Sequence, residues 1–382
     1  MMNSESVTSA FSESQNPQQA AAELYQQLSS PGLGFVLFFC SAEYDLERLA
    51  SELEAHFGDL PLAGCTTAGE ITPQGYGQGC ITAIGFNRKH FAVEAAVIET
   101  LEGFRLTDAQ ALVGQLMEGC RPRQVAPIKG NSFALTLLDG LSSEEENVLL
   151  ALNAALGSIP HFGGSAGDDI HLAHTHVFVN GRFRTDAAVV MLFNTDCDFE
   201  VFSTHHMESQ QEKLVVTAAD SESRTVQEIN AEPAAREYAR AVGVPLEELD
   251  LETFALKPIG VRLGDDYYVR SIQRVNDDQS LTFYCAIENG IVLTVMKPGD
   301  MMPGLQQEME RIGQKIGKPQ LVIGCDCFLR RLETEYRGRD REMSDFLREN
   351  RVIGFNTYGE HIEGMHVNQT FTAVAIGGSG HD

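Results

Sequence analysis

The 382 residues carry 54 acidic side chains against 28 lysines and arginines, a formal charge of −26, at 43% hydrophobic content. Such a charge repels nucleic-acid phosphates and anionic lipid headgroups at long range, so neither nucleic acid nor membrane is an expected partner. The apolar fraction suffices for the cores of two or three domains, while no apolar run reaches the roughly 20 residues of a membrane-spanning helix.

Residues 1–16 are polar and read as a disordered tail, and residues 17–28 as an amphipathic helix with Asn16 before it and Pro17 at its first position. Neither a basic start nor the apolar core of a signal peptide is present, so the cytoplasm is the expected location. A buried strand at 35–40 and a helix at 45–57 follow, then strands at 81–86 and 91–98, a helix at 107–118 and a linker at 121–127. The order of strand, then helix, begins again with 133–138 and 143–156, and a strand at 187–193 takes the place of 81–86.

From about residue 214 the pattern changes. Strands are expected at 225–230, 267–272, 281–286 and 291–296, with helices at 232–242 and 305–316. A third strand–helix–strand unit closes the chain, with strands at 321–325 and 352–354 around a helix at 343–347. Helices come singly between sheet segments, so the expected class is α+β, a layered α/β sandwich built from duplicated strand–helix–strand units. The expected divisions are a tail and lead-in helix over 1–31, an N-terminal region over 32–215 with related units at about 32–120 and 131–210, and a C-terminal region over 216–382.

Each unit ends in a loop of small residues and an acid. Gly64 and Gly163 align without a gap at a displacement of 99, placing Glu70 on Asp169, and a displacement of 290 puts Gly354 on Gly64 and Glu360 on Glu70. So long a period indicates duplication of whole units, not a solenoid. Recurrence favours an architectural role for the acids, each capping amides or pairing with an arginine. Glu360, beside a cluster of Asp326, Cys327 and Arg330 just past the strand at 321–325, is the one expected in a ligand site. There Arg330 offers a planar donor fork to an anionic or zwitterionic ligand, and the plainer reading is an Arg–Asp surface pair beside a helix cap.

Eight cysteines spread over so long a chain do not form a disulfide framework, and Cys325 and Cys327 lack a second Cys or His pair at zinc-site spacing. His174 and His176 alternate on an expected strand, and His206 belongs to a second histidine pair. All three are candidate haem-iron or metal ligands, against a solvated polar face as the plainer reading. Phosphate-loop, elbow-serine and zincin motifs are missing, so the chain is not expected to be an enzyme; a Cys327 nucleophile is the weakest of the readings.

Over nearly the whole chain these motifs resemble those of FIST-domain proteins. The resemblance is carried by 64–70, 163–168, 326–330 and 354–360 with Asn368, Gln369 and Thr370. It implies a sensory, ligand-binding role in bacterial signal transduction, with Cys327, Arg330 and Glu360 as pocket residues. Its length and layout are similar to those of the NosP-type proteins, which implies non-covalent haem, nitric-oxide sensing, a partner histidine kinase and an effect on cyclic-di-GMP signalling. The alternative is a haem-free receptor for a small molecule such as an amino acid.

Overall fold

A computed structural model describes residues 6–379. The first unit runs through β1 (Val7–Ser12), α1 (Pro17–Leu28), β2 (Leu33–Ser41), α2 (Leu46–Phe57), β3 (Leu62–Thr67), a short hairpin of β4 (Glu70–Thr72) and β5 (Gly75–Gly77), and β6 (Ile81–Asn87). The second repeats that order: β7 (Phe91–Ile98), α3 (Leu106–Cys120), β8 (Ser132–Leu138), α4 (Glu145–Leu156), β9 (His161–Ser165), the hairpin β10 (Val177–Val179) and β11 (Arg182–Arg184), and β12 (Ala188–Thr195).

The third opens with β13 (Cys197–Thr204) and is then interrupted by an insert. This comprises β14 (Met207–Asp220), β15 (Thr225–Ile229), β16 (Glu232–Pro233), α5 (Ala234–Val242), α6 (Leu251–Leu256), β17 (Ile259–Leu263), β18 (Asp266–Arg270), β19 (Ile272–Val275), β20 (Leu281–Phe283) and β21 (Val292–Pro298). The unit resumes with α7 (Met301–Ile316), β22 (Leu321–Cys327), α8 (Phe328–Tyr336), α9 (Asp340–Glu349), β23 (Val352–Thr357), the hairpin β24 (Glu360–Ile362) and β25 (Met365–Val367), and β26 (Phe371–Ser379).

Each unit forms one mixed sheet around a parallel pair, and each lends its hairpin to another unit. The sheet orders are β1-β6-β2-β3-β10-β11, β25-β24-β9-β8-β12-β7 and β13-β26-β22-β23-β4-β5. Thus the first unit's hairpin completes the third sheet, the third unit's completes the second, and the second unit's completes the first, a closed cycle of exchange. The insert makes a separate eight-stranded sheet.

Alternation along the strands sets the layers. Phe35, Leu37 and Phe39 of β2 join Phe133, Leu135 and Leu137 of β8 and Leu321, Ile323 and Cys325 of β22 in one central core, where Phe39 stacks on Phe355 at 4.6 Å. Their alternates, Val36 and Phe38, Ala134 and Leu138, and Val322, face outward onto the helices. Being buried on both faces, these parallel strands read as near-continuous apolar runs. The expected mixed α/β class, built from repeated strand–helix–strand units, is the fold observed. No helix among the described residues is long and apolar enough to cross a membrane.

Several expected details change. Residues 1–5 of the expected tail lie outside the described residues, but Val7–Ser12 is a strand paired antiparallel to β6 with Val7, Ala10 and Ser12 turned inward. Serines and a threonine in the run hide its periodicity. The segments 91–98 and 107–118, grouped with the first unit in the sequence, open the second, because β7 pairs with β12. A single strand, β14, runs across the expected division at 215/216.

The repeated glycines have a common physical cause. A Cβ on Gly64, Gly163 or Gly354 would lie 2.3, 2.0 or 1.8 Å from the carbonyl oxygen of Phe38, Thr136 or Gly324, the residue opposite it in the parallel pair. Because the obstacle is backbone, no rotamer relieves it. We expect Gly354→Ala to cost at least the roughly 1–3 kcal/mol of ordinary overpacking, read as a lower denaturant midpoint. An unchanged midpoint would refute this packing account.

Candidate functional site

The acids of the first and third loops open their hairpins as equivalents. Glu70 accepts from the Thr67 hydroxyl and the Cys80 amide (3.1 Å), and Glu360 from the Thr357 hydroxyl and the Thr370 amide (3.0 Å). Both carboxyls are fully buried. The aligned Asp169 is not their equivalent. On sheet pairing that place belongs to Val177, since Val177 faces Cys65 as Glu360 faces Gly164 and Glu70 faces Phe355. Eight extra residues after Asp168 displace the second hairpin, and the acid, its threonine and its amide donor become Val177, Ala166 and Ala187, all within the central core.

Those extra residues build the site. A cavity of about 540 Å³ lies beyond the carboxyl ends of β2 and β3, where open ends of parallel strands commonly hold ligands. Ser41, Ala42, Glu43, Thr67, Gly69, Glu70, Gln78 and Gly79 of the first unit line it, with Gln15 at its edge. The displaced loop supplies the opposite wall through Asp168, Asp169, His171, Ala173 and His174.

Asp168 organises that loop from within. Its carboxylate accepts from the amides of Leu172 (2.9 Å), Ala173 (2.7 Å) and His174 (2.7 Å) and from the Tyr358 phenol. Asp169, at a left-handed φ of 58°, accepts from Arg331 of the third unit at 2.9 Å and from Gln78 of the first at 2.5 Å. Gly69 has φ 130°, and a Cβ there would meet Arg331 Nη1 at 2.4 Å. The first two units therefore line this cavity and the third backs it through Arg331.

The expected ligand cluster of the third unit stands elsewhere and is filled. Asp326 and Cys327 end β22, and Arg330 lies in the first turn of α8, a helix the charged sequence concealed. The Asp–Arg pair exists at 2.7 Å but is buried, not on the surface. Arg330 Nη1 donates to His206 Nδ1 at 2.9 Å, and His206 Nε2 donates to Glu333 at 2.7 Å. Burial lowers the His206 pKa, consistent with a neutral ring. Burial also pushes the Cys327 thiol well above its ordinary value, denying it the thiolate that a nucleophile needs. Asp326, Cys327, Arg330 and Glu360 do not line the cavity.

Equivalence between units explains the miss. The amides of Ser41, Asp139 and Cys327 donate to the carbonyls of Cys80, Ala187 and Thr370, so the three residues share one place in their units. At Cys327 the strand end is plugged by Phe328, Tyr358 and Tyr284, with ring centroids 5.4–6.0 Å apart. At Ser41 small residues leave it open. The kind of place was legible at Cys327, but the unit that kept it hollow was not.

The three candidate histidines are dispersed. Residues 171–176 form a loop and not a strand, because Asp168 takes the amides of Leu172, Ala173 and His174; regular pairing starts at Val177. His174 lines the cavity, while His176 is half-buried with its ring edge-on to Phe183 at 6.3 Å. Haem requires an imidazole nitrogen facing an apolar slot for the macrocycle. His206 has both nitrogens engaged, and His174 stands beside four carboxyl groups, so neither fits haem, while His176 keeps a buried Nδ1 without a partner and does not line the cavity.

Residues 34–232 match the FIST N domain and residues 234–363 the FIST C domain. The chain belongs to the FIST family. FIST domains are associated with sensory roles in signal transduction. The two matches meet inside the insert, at β16 and α5, so the family's division of this FIST protein cuts across the threefold units. No curated protein matches the chain.

Proposed function

We propose that this FIST protein is a non-catalytic sensory receptor for a small polar molecule, bound in the cavity at the carboxyl ends of β2 and β3. The observation carrying the reading is a 540 Å³ hollow, within the range of small-molecule sites, walled by convergent polar side chains among small residues and by one displaced loop. Occupancy there acts on Asp168, Asp169 and the residues between them and Tyr358. Through Leu172, which packs with Tyr284 and Phe328, it also acts on the insert and the third unit. A signal needs such a contact that differs between bound and free states. Its readers would be a protein partner, for which the family resemblance suggests a histidine kinase.

The haem-dependent nitric-oxide reading rests on resemblance alone, and neither His174 nor His206 favours it. Thermal unfolding of the full chain against charged and neutral metabolites tests the receptor. A true ligand at one hundred times its dissociation constant adds about 2.7 kcal/mol. Ala173 is exposed and lines the cavity, so Ala173→Trp is expected to fill it and remove the shift while leaving the unliganded transition in place. A shift that survives Ala173→Trp overturns the site.

A further inference from the structure

We infer that the cavity takes a cationic amine, a reading that rests on the receptor function proposed above and narrows its ligand. Four carboxyl groups, Glu43, Glu70, Asp168 and Asp169, contribute to the lining, and no lysine or arginine is among the described residues that do so. The nearest guanidinium, Arg331, stands behind Gly69 and is compensated by Asp169 at 2.9 Å and Glu335 at 3.5 Å. Burial favours the protonated form of Glu70, so Glu43, Asp168 and Asp169 make the enclosed field negative, and concave walls concentrate it.

Hydrogen-bonding capacity points the same way. A carboxylate has about four acceptor sites, and Asp169 accepts one bond from Arg331 and one from Gln78, leaving acceptor capacity on a side chain 29% exposed. Behind Gly69, outside the lining itself, Asn356 Oδ1 is buried without a donor and Arg331 Nε without a hydrogen-bond acceptor, so the unmet capacity that faces the cavity is that of the lining carboxylates. Glu43 stands exposed at the rim. Unmet acceptors call for a donor, and an ammonium group brings three donors and no acceptor. A carboxylate ligand would add acceptors where acceptors already lack partners. The amide groups of Gln15 and Gln78 serve the remainder of a short polar chain.

Matched four-carbon probes test the charge directly: putrescine, succinate and 1,4-butanediol, each titrated calorimetrically into the full chain at low salt. Binding is expected for putrescine alone, weakened about tenfold or more in Glu43→Gln and abolished in Ala173→Trp. Succinate or butanediol binding in place of putrescine, with loss in Ala173→Trp, would overturn the amine while leaving the receptor intact. Putrescine binding that Ala173→Trp leaves unchanged would place the amine elsewhere and overturn the inference together with the cavity as the site.

Discussion

Arg330→Ala is expected to destabilise the protein by about 3–5 kcal/mol, the cost of breaking a buried ion pair from one side. Arg330 is 2% exposed and is the central member of a chain of contacts from Tyr76 through Asp326, Arg330 and His206 to Glu333. Tyr76 belongs to the exchanged hairpin of the first unit and donates to Asp326 at 2.5 Å, so the network fastens that hairpin to the third sheet. Removing the guanidinium leaves the Asp326 carboxylate buried without its cation. Lysine does not restore it, since a single ammonium cannot span Asp326 and His206 as the fork does. Denaturant unfolding reads the effect. Were Arg330 a ligand-binding residue instead, the alanine variant would keep its stability, so a loss under 1 kcal/mol contradicts the network.

Glu360→Gln is expected to remove a component of stability that falls as pH rises from about 5 to 8, set against the buried neutral histidines, His161, His206 and His361 among them, whose contribution rises up to about pH 6.5. Burial pushes the Glu360 carboxyl up to about 8 and that of Glu70 up to about 7, against 4.5 for the ordinary group. A raised carboxyl holds its proton in the folded state at a pH where the unfolded chain has released it. Its favourable contribution is therefore complete below about 4.5 and is lost as pH climbs to the folded value. Each such group adds a slope of about 1.4 kcal/mol per pH unit over that window. Glutamine cannot titrate, so the variant should lose one proton's worth of slope, whatever its offset in stability at a fixed pH. Equal slopes for the two proteins between pH 5 and 8 would show that Glu360 is ionised when folded.

The family and much of the fold were legible because they depend on local pattern. Apolar runs marked β2, β8 and β22, whose two faces are both buried, and Asn16 before Pro17 marked α1, where the asparagine accepts from the amides of Gln18 and Gln19. The aligned glycines were visible as a repeat, but their cause, a carbonyl oxygen of the neighbouring strand, is a contact across about 26 to 30 residues. Unit boundaries were misplaced for a related reason. β6 and β7 follow one another through a turn and look like a hairpin, but they enter different sheets.

The candidate site was less legible still. Its walls come from residues 15, 41–43, 67–70, 78–79 and 168–174, and an alignment without gaps concealed the eight extra residues that displace the second hairpin. Asp326 and Arg330 stood out as charges at a strand end, and their burial reverses what such charges mean: paired with each other and with His206, they hold structure together.

Periodicity, glycine spacing and the recurring acids are properties of neighbours along the chain, so residue order alone established three α/β units, their buried strands and their membership in one sensory family. Which hairpin completes which sheet, which strand end stays hollow and which charges are already spent are decided by contacts between residues 30 to 300 positions apart. Those contacts exist only once the three sheets close on their common core, and it is that closure which places an open, acid-lined cavity in the first unit and an aromatic plug in the third.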